Sequence, residues 1–297
     1  MTTDGVLTIV IPCYNESENI PVFFPKLLNF LEAHDHYALV INDGSQDDTA
    51  IKLNEFAGDR IKIIHNKRNC GYGAAIKRGL LATKTQFAIT IDADGQHRLE
   101  DVQKCFECIK SKNADLVIGA RSNNLSGAYR SFGKKIIYFW AKSLLQFDIK
   151  DLNSGMKCYE MNEAGPYFIL CPDSMAFSDV IALLMINDRK LVMEESIEVV
   201  PRQSGVSTIN MNTALTTIAE ILNLSILVRP LTTFCRFGIF FLLIGLGWGV
   251  YTYLRSSTIT NVTTVFVMFS GFSILTGLLC EQLSQIRKTI SKYMVWK

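Results

Sequence analysis

The chain has 297 residues, with 30 Lys and Arg against 28 Asp and Glu, 48% hydrophobic residues and 20% charged ones. So much apolar material excludes a disordered or linker-like protein, and the near-neutral balance excludes an evenly basic nucleic-acid-binding face. A mean hydropathy of +0.19 is high for a soluble enzyme, so the apolar residues have to be located along the chain.

The N-terminal residues Met1–Gly5 carry no basic region and lead into a strand-like run, so no signal peptide is expected. That run, Leu7–Ile11, is followed by β-rich runs at Tyr37–Ile41, Ile61–His65, Phe87–Ile91 and Leu116–Ile118. Amphipathic stretches separate them, near 18–33, 48–57, 73–83 and 99–111. The alternation predicts an α/β domain: a mostly parallel, Rossmann-like sheet with right-handed crossovers and helices on both faces. Ligands of such sheets collect at the carboxyl ends of the strands, where this sequence is most polar.

The first run ends in Pro12-Cys13-Tyr14-Asn15-Glu16 and the second in Asn42-Asp43-Gly44-Ser45-Gln46-Asp47-Asp48-Thr49. Asp43 reads either as an acceptor for a nucleobase or ribose, or as part of an Asx turn or helix cap. Capping by Asp47 or Asp48 is expected to leave Asp43 free. Asn69-Cys70-Gly71-Tyr72-Gly73 follows the third run and opens a helix. It either brings backbone amides to an anionic ligand or makes a simple turn.

The fourth run delivers Asp92-Ala93-Asp94-Gly95-Gln96-His97. Two ionised carboxylates so close together need a counter-charge. Mg²⁺ held by few carboxylates plus substrate phosphate oxygens would supply it, with Gln96 as a neutral oxygen donor, although acidic turns are also common. After the fifth run come Arg121, Arg130, Lys134 and Lys135, either a phosphate-gripping loop or a solvated charge run. Neither G-x-x-x-x-G-K-[ST] nor G-x-G-x-x-G is present, which argues against P-loop and dinucleotide folds. Cys105-x-x-Cys108, without a second pair at metal spacing, reads as helix surface; the eight cysteines are expected to be reduced thiols.

The hydrophobicity is concentrated at the end. Seven basic residues and one acid lie in 229–297, leaving 23 basic and 27 acidic residues before them. Two uncharged apolar runs, Phe237–Leu254 and Val262–Cys280, are 18 and 19 residues long, close to the roughly 20 a membrane-crossing helix needs. Core helices are the alternative, but these runs lack a polar face. The flanking basic residues predict that the N-terminal body and both termini face the cytoplasm. Asn212–Val228 has apolar residues at helical spacing and is expected to lie along the interface. The domains expected are thus 1–210, 211–232 and 233–297. Gly245-x-x-x-Gly249 permits close helix contact and is compatible with a homo-oligomer.

Ile11-Pro12-Cys13-Tyr14-Asn15-Glu16, Asn42-Asp43-Gly44-Ser45, Asn69-x-Gly71, Asp92-Ala93-Asp94-Gly95-Gln96-His97, Gly119-x-Arg121 and Asp151-x-Asn153-Ser154-Gly155 occur in that order. Together they resemble the family 2 inverting glycosyltransferases of GT-A fold. The likeness is specifically to the polyisoprenyl-phosphate branch, and the two-helix tail resembles its bacterial members. The resemblance covers roughly 6–210 and implies transfer of a sugar from a UDP- or GDP-hexose to undecaprenyl or dolichyl phosphate. It implies Mg²⁺ or Mn²⁺ as cofactor and a bacterial inner membrane as location.

By position, Pro12, Tyr14, Glu16 and Asp43 would hold the nucleoside, while Asp92, Ala93 and Arg202 would contact the ribose and diphosphate. Asp94 and Gln96 would ligate the metal, and Arg121 and Arg130 would grip the acceptor phosphate. Asp151 is a base or orienting group, or else a loop cap, and with Asp94 and Arg121 makes up the catalytic set. Asn42 departs from the usual Asp, and Thr208 stands where a Lys often follows. Two rivals are a processive polysaccharide synthase, whose Q-x-x-R-W motif is missing here, and a non-catalytic nucleotide-binding membrane scaffold.

Overall fold

The computed structural model describes residues 5–121, 149–198, 226, 229–258 and 260–295. They form two compact units, one holding the sheet and the other the C-terminal helices.

In the first unit the five apolar runs become β1 (Leu7–Cys13), β2 (Tyr37–Asn42), β3 (Ile61–His65), β4 (Phe87–Thr90) and β5 (Leu116–Arg121). The helices between them are α1 (Ile20–His34), α2 (Thr49–Asn54), α3 (Tyr72–Ala82) and α4 (Leu99–Lys112). Every residue of β1 is buried, as expected of a strand covered on both faces. Its side chains alternate accordingly. Leu7, Ile9 and Ile11 join the core beneath Phe24 and Leu27 of α1 and Phe106 of α4. Val10 faces the other way, and a Cβ added at Gly79 of α3 would collide with its Cγ1. Gly79 therefore lets α3 settle directly on the sheet.

Four elements follow beyond the recognised runs: β6 (Lys157–Glu160), α5 (Met161–Phe168), α6 (Phe177–Asn187) and β7 (Val192–Ile197). The seven-stranded sheet has the order β3-β2-β1-β4-β6-β5-β7. Only β6 runs antiparallel, wedged between β4 and β5, so the sheet is mostly rather than wholly parallel.

The strand order turns round at β1 and β4. Their pairing stops at Val10 and Thr90, two residues before Pro12, so the proline's missing N–H leaves no gap in that ladder. Beyond this point the two strands part. Such a reversal is where open α/β sheets form their ligand crevice, and Pro12–Glu16 and Asp92–His97 issue from its two sides.

The second unit is a hairpin of α7 (Pro230–Ser256) and α8 (Asn261–Val295). Both helices are long and apolar enough to cross a membrane, and 27 residues of α7 rise about 40 Å against a hydrocarbon layer of about 30 Å. Glycines let the pair meet. A Cβ at Gly245 would lie 2.9 Å from Phe266 Cβ, one at Gly249 would lie 2.8 Å from Thr263 Cγ2, and one at Gly277 would lie 2.8 Å from Phe234 Cβ. The Gly245-x-x-x-Gly249 pair is thus used inside the hairpin. Outward-facing Met268, Phe272 and Leu279 are each about 70% exposed, a surface suited to lipid.

Candidate active site

The loops after β1 and β2 are fastened to each other. The Asn15 amide donates to Ser45 Oγ at 3.0 Å, the Glu16 amide to Thr49 Oγ1 at 2.9 Å, and the Gln46 amide to Asn15 Oδ1 at 2.9 Å. Glu16 itself accepts from Asn19 Nδ2 at 2.6 Å. Tyr14 stands out from this brace, 41% exposed. Asn42, in place of the usual acid, accepts from the Ser45 amide and hydroxyl and reaches His65 Nδ1 with its own Nδ2 at 3.0 Å, a donor bond no Asp could make. Asp48 is the N-cap residue of α2 but makes no side-chain cap bond; Asp47, one residue earlier, accepts from the Thr49 and Ser17 amides. Burial pushes its carboxyl up, yet these bonds outweigh that and hold it low.

Asp43, expected to be free, is not. It is buried at 3% exposure, and its carboxylate accepts from Asn66 Nδ2 at 2.6 Å and from the Cys70 and Gly71 amides at 2.9–3.1 Å. Its immediate task is to fold the 66–71 loop onto the end of β2. Those are also the amides that would have faced an anion. Further along, the Ala74 amide donates to Asp173 O at 3.2 Å. Cβ atoms at Gly71 and Gly73 would lie 2.6–2.8 Å from carbonyl oxygens of 172–174. The glycines there admit the 172–174 backbone, and the start of α3 is closed to a phosphate.

The acidic turn after β4 is braced on one side and open on the other. Asp92 Oδ1 accepts from the Tyr72 hydroxyl at 2.9 Å, and Oδ2 lies 3.4 Å from His97 Nε2. Burial raises the Asp92 carboxyl, but His97, Tyr72 and Arg121 together bring it below the usual carboxylate range. It is ionised at neutral pH. The Gln96 amide donates to Asp94 Oδ1 at 3.1 Å, closing an Asx turn. Asp94 and Gln96 remain partly exposed. His97 is buried, and its Nδ1 has no hydrogen-bond partner among the described residues.

Arg121, at the end of β5, meets Asp151 in a two-pronged pair with Nε–Oδ2 and Nη2–Oδ1 both 2.6 Å. The Arg121 amide also donates to Asp151 Oδ2 at 3.2 Å. Burial raises the Asp151 carboxyl, and the guanidinium more than offsets it. Of the three roles left open for Asp151, a low-pKa carboxylate clamped in this way fits the orienting one. Arg121 in turn feels Asp92 and Asp179 after Asp151, so the β4 and β5 ends form one electrostatic cluster. Gly155 presses on it from the side: an added Cβ would lie 2.7 Å from Asp92 Oδ2.

Four members of this cluster have no role legible from sequence alone. Tyr72 and His97 stand within recognised motifs without a stated role, and Asp179 begins α6. The fourth, Lys157, lies in β6 with no exposed surface; its only signal is a lysine in the apolar run Met156-Lys157-Cys158-Tyr159. Cys105, read as helix surface, is core: its Sγ donates to Met156 Sδ at 3.8 Å, and burial pushes the thiol up to about 12. Among the described residues no group of three His, Cys, Asp or Glu could hold a metal ion alone. Arg130, Lys134, Lys135, Arg202, Thr208 and most of Asn212–Val228 lie outside the described residues.

A model of glycosyl transferase family 2 matches residues 8–161, from β1 through β6. The chain belongs to glycosyl transferase family 2. A second match, to the GtrB C-terminal hairpin, covers residues 229–286. This family 2 chain is 27% identical over 183 residues to a dolichyl-phosphate β-glucosyltransferase of Dictyostelium discoideum, covering 54% of this chain and 56% of that protein. The chain thus spans little more than half the length of that relative. It is 28% identical over 229 residues to the polyprenol monophosphomannose synthase of Mycolicibacterium smegmatis, covering 71% and 85% of the two chains. Glucosyl-3-phosphoglycerate synthase of Mycobacterium tuberculosis, solved with Mn²⁺, UDP-glucose and phosphoglyceric acid, shares the fold. The TM-score is 0.58 at 16% identity, over 74% of this chain and 78% of that one.

Proposed function

We propose that this family 2 enzyme transfers a hexose from a UDP- or GDP-sugar to a polyisoprenyl phosphate, with inversion and with Mg²⁺ or Mn²⁺. The observation that carries the reading is the meeting of an ionised, partly open Asp92–Asp94 turn with a guanidinium aimed by Asp151. One half of such a site suits a metal-bound diphosphate and the other a second phosphate. The relatives named for dolichyl- and polyprenol-linked transfer, and the matching hairpin, point to a lipid acceptor.

The residues present fit a hard dication. Asp94 and Gln96 offer oxygen donors, and the ion would take further oxygens from the substrate, as Mg²⁺ commonly does. When bound, it would offset charge on the departing diphosphate. Fold neighbours crystallised with Mn²⁺ or Mg²⁺ and UDP support this choice. Asp92, fixed by Tyr72 and His97, positions the start of the metal turn. Pro12, Tyr14, Glu16 and Asp43 line the nucleoside side, with Ala93 and Arg202 toward the diphosphate; Asp43 acts there through the loop it anchors.

The nucleophile is a phosphate oxygen, already anionic near neutral pH, so no strong base is needed. Arg121, with Arg130, holds that phosphate, and Asp151 holds Arg121. Alignment of the nucleophile with the anomeric carbon is then the main contribution. The polyprenyl chain stays in the bilayer, since each methylene moved to water costs about 0.8 kcal/mol. We assign 1–210 to the catalytic domain, 211–232 to an interfacial helix and 233–297 to a membrane hairpin, with the catalytic domain and both termini cytoplasmic. The test uses membranes containing the full chain. Label should pass from a nucleotide sugar into an organic-extractable lipid only with Mg²⁺ or Mn²⁺, and Asp94→Ala should abolish transfer. Transfer in excess chelator, or label only in water-soluble polymer, would overturn it.

A further inference from the structure

Lys157 is one of the few charged side chains among the described residues with no exposed surface. It sits in β6 between β4 and β5, and its Nζ donates to Leu152 O at 2.8 Å and Ser154 O at 2.5 Å. Both carbonyls belong to the turn 151–155, and both ends of that turn bear on the reacting region. Asp151 holds Arg121 in the two 2.6 Å bonds. Gly155 packs against Asp92, and its carbonyl accepts from Thr90 Oγ1 at 2.8 Å.

An ammonium in such a place carries a heavy desolvation cost, and an apolar side chain of similar volume would fill the space without it. Burial indeed lowers Lys157 to about 8, while the carboxylates of Asp179, Asp151 and Asp92 work to keep it charged. Those are the same three carboxylates that act on Arg121. Two cations, one buried and one at the surface, therefore share one set of three acids. Removing the buried one would leave the turn's carbonyls without this donor and the acids with one cation fewer.

We infer that Lys157 is a positioning residue for the transfer reaction: from beneath the sheet edge it fixes the 151–155 turn, so that Asp151 aims Arg121 and Gly155 seats Asp92. It touches neither substrate. The inference rests on the transferase reading above.

The test measures label transfer by full-length protein in membranes for wild type, Lys157→Met, Lys157→Arg, Asp151→Asn and the Lys157→Met/Asp151→Asn double variant. Thermal unfolding is recorded for each. Lys157→Met should lower kcat by about 10- to 100-fold while the KM for the nucleotide sugar stays within about threefold, the pattern of misplaced groups rather than lost binding. Lys157→Arg, which keeps the charge and the donors, should recover at least about fivefold of that loss. Adding Asp151→Asn to Lys157→Met should cost less than about twofold more, since both act through one contact. If Lys157→Met does not fold, Lys157→Gln, neutral but still a donor, takes its place in the same cycle. A Met or Gln variant with kcat within twofold of wild type, multiplicative effects in the cycle, or an Arg variant no better than Met would overturn the inference alone. A wild type that transfers no sugar to lipid would overturn the functional reading and this inference with it.

Discussion

Gly155→Ala is the sharpest local test of the site, because the new methyl has a single place to go. The added Cβ would lie 2.7 Å from Asp92 Oδ2 and 3.3 Å from its Cγ, some 0.6 Å inside an ordinary carbon–oxygen contact of about 3.3 Å. Asp92 cannot retreat freely, since Tyr72 donates to Oδ1 at 2.9 Å and His97 Nε2 lies 3.4 Å from Oδ2. The substitution therefore costs about 1–3 kcal/mol of overpacking, or it moves the carboxylate and weakens the Tyr72 bond. A displacement of half an ångström, against roughly 100-fold for a full one, predicts a kcat about tenfold lower. The assay is label transfer to lipid with thermal unfolding followed in parallel, and Gly58→Ala, which meets nothing within 4 Å, serves as the neutral control. A Gly155→Ala enzyme with wild-type kcat and unchanged unfolding would refute the claim that the 151–155 turn sets Asp92.

Arg121→Lys should reduce transfer by about 10- to 100-fold with the fold intact, because an ammonium cannot span Asp151 and still present a fork to phosphate; activity within threefold of wild type would contradict it. In the hairpin, Gly249→Leu should lower the unfolding temperature in detergent through a clash with Thr263 worth about 1–3 kcal/mol. Gly247→Leu, which faces nothing within 4 Å, should not. His36 is buried, accepts from the Leu7 amide and has its pKa held below 6.5 chiefly by burial. The unfolded chain then binds the extra proton first, so stability should fall as pH drops from 6.5 toward the lower folded value. Unfolding temperatures at about pH 7.5 and 5.5 check this, and a slope that His36→Gln leaves unchanged would rule His36 out as its source.

β1, β2, β4 and β5 were legible because strands buried on both faces are apolar over most of their length, β3 because Ile61, Ile63 and Ile64 mark even an edge strand, and the crevice between β1 and β4 dictates polar residues where those two end. β6 was not legible, since Lys157 breaks its apolar run and only the folded 151–155 turn supplies the carbonyls that accept from it. β7 was hidden by Glu194 and Glu195, which an edge strand tolerates; Glu194 turns to accept from the Lys150 and Asp151 amides at 2.8 Å. The motifs marked the candidate residues but not their partners. Asp43 is spent on amides 27 and 28 residues away, and Asp151 on an arginine 30 residues back. Such pairings depend on how loops from separate crossovers meet, which local spacing does not encode. The same holds for Gly245 and Gly249, whose pattern announces close packing without naming α8 as the neighbour.

The proposed function requires a metal-bound nucleotide diphosphate on the Asp92–Asp94 turn beside Arg121. The most direct measurement is an experimental structure of the full chain with Mn²⁺ and a UDP- or GDP-sugar. Metal density is expected on Asp94, with the diphosphate bridging from it toward the β5 end. A nucleotide bound away from the β4 end, with that turn empty of metal, would contradict it.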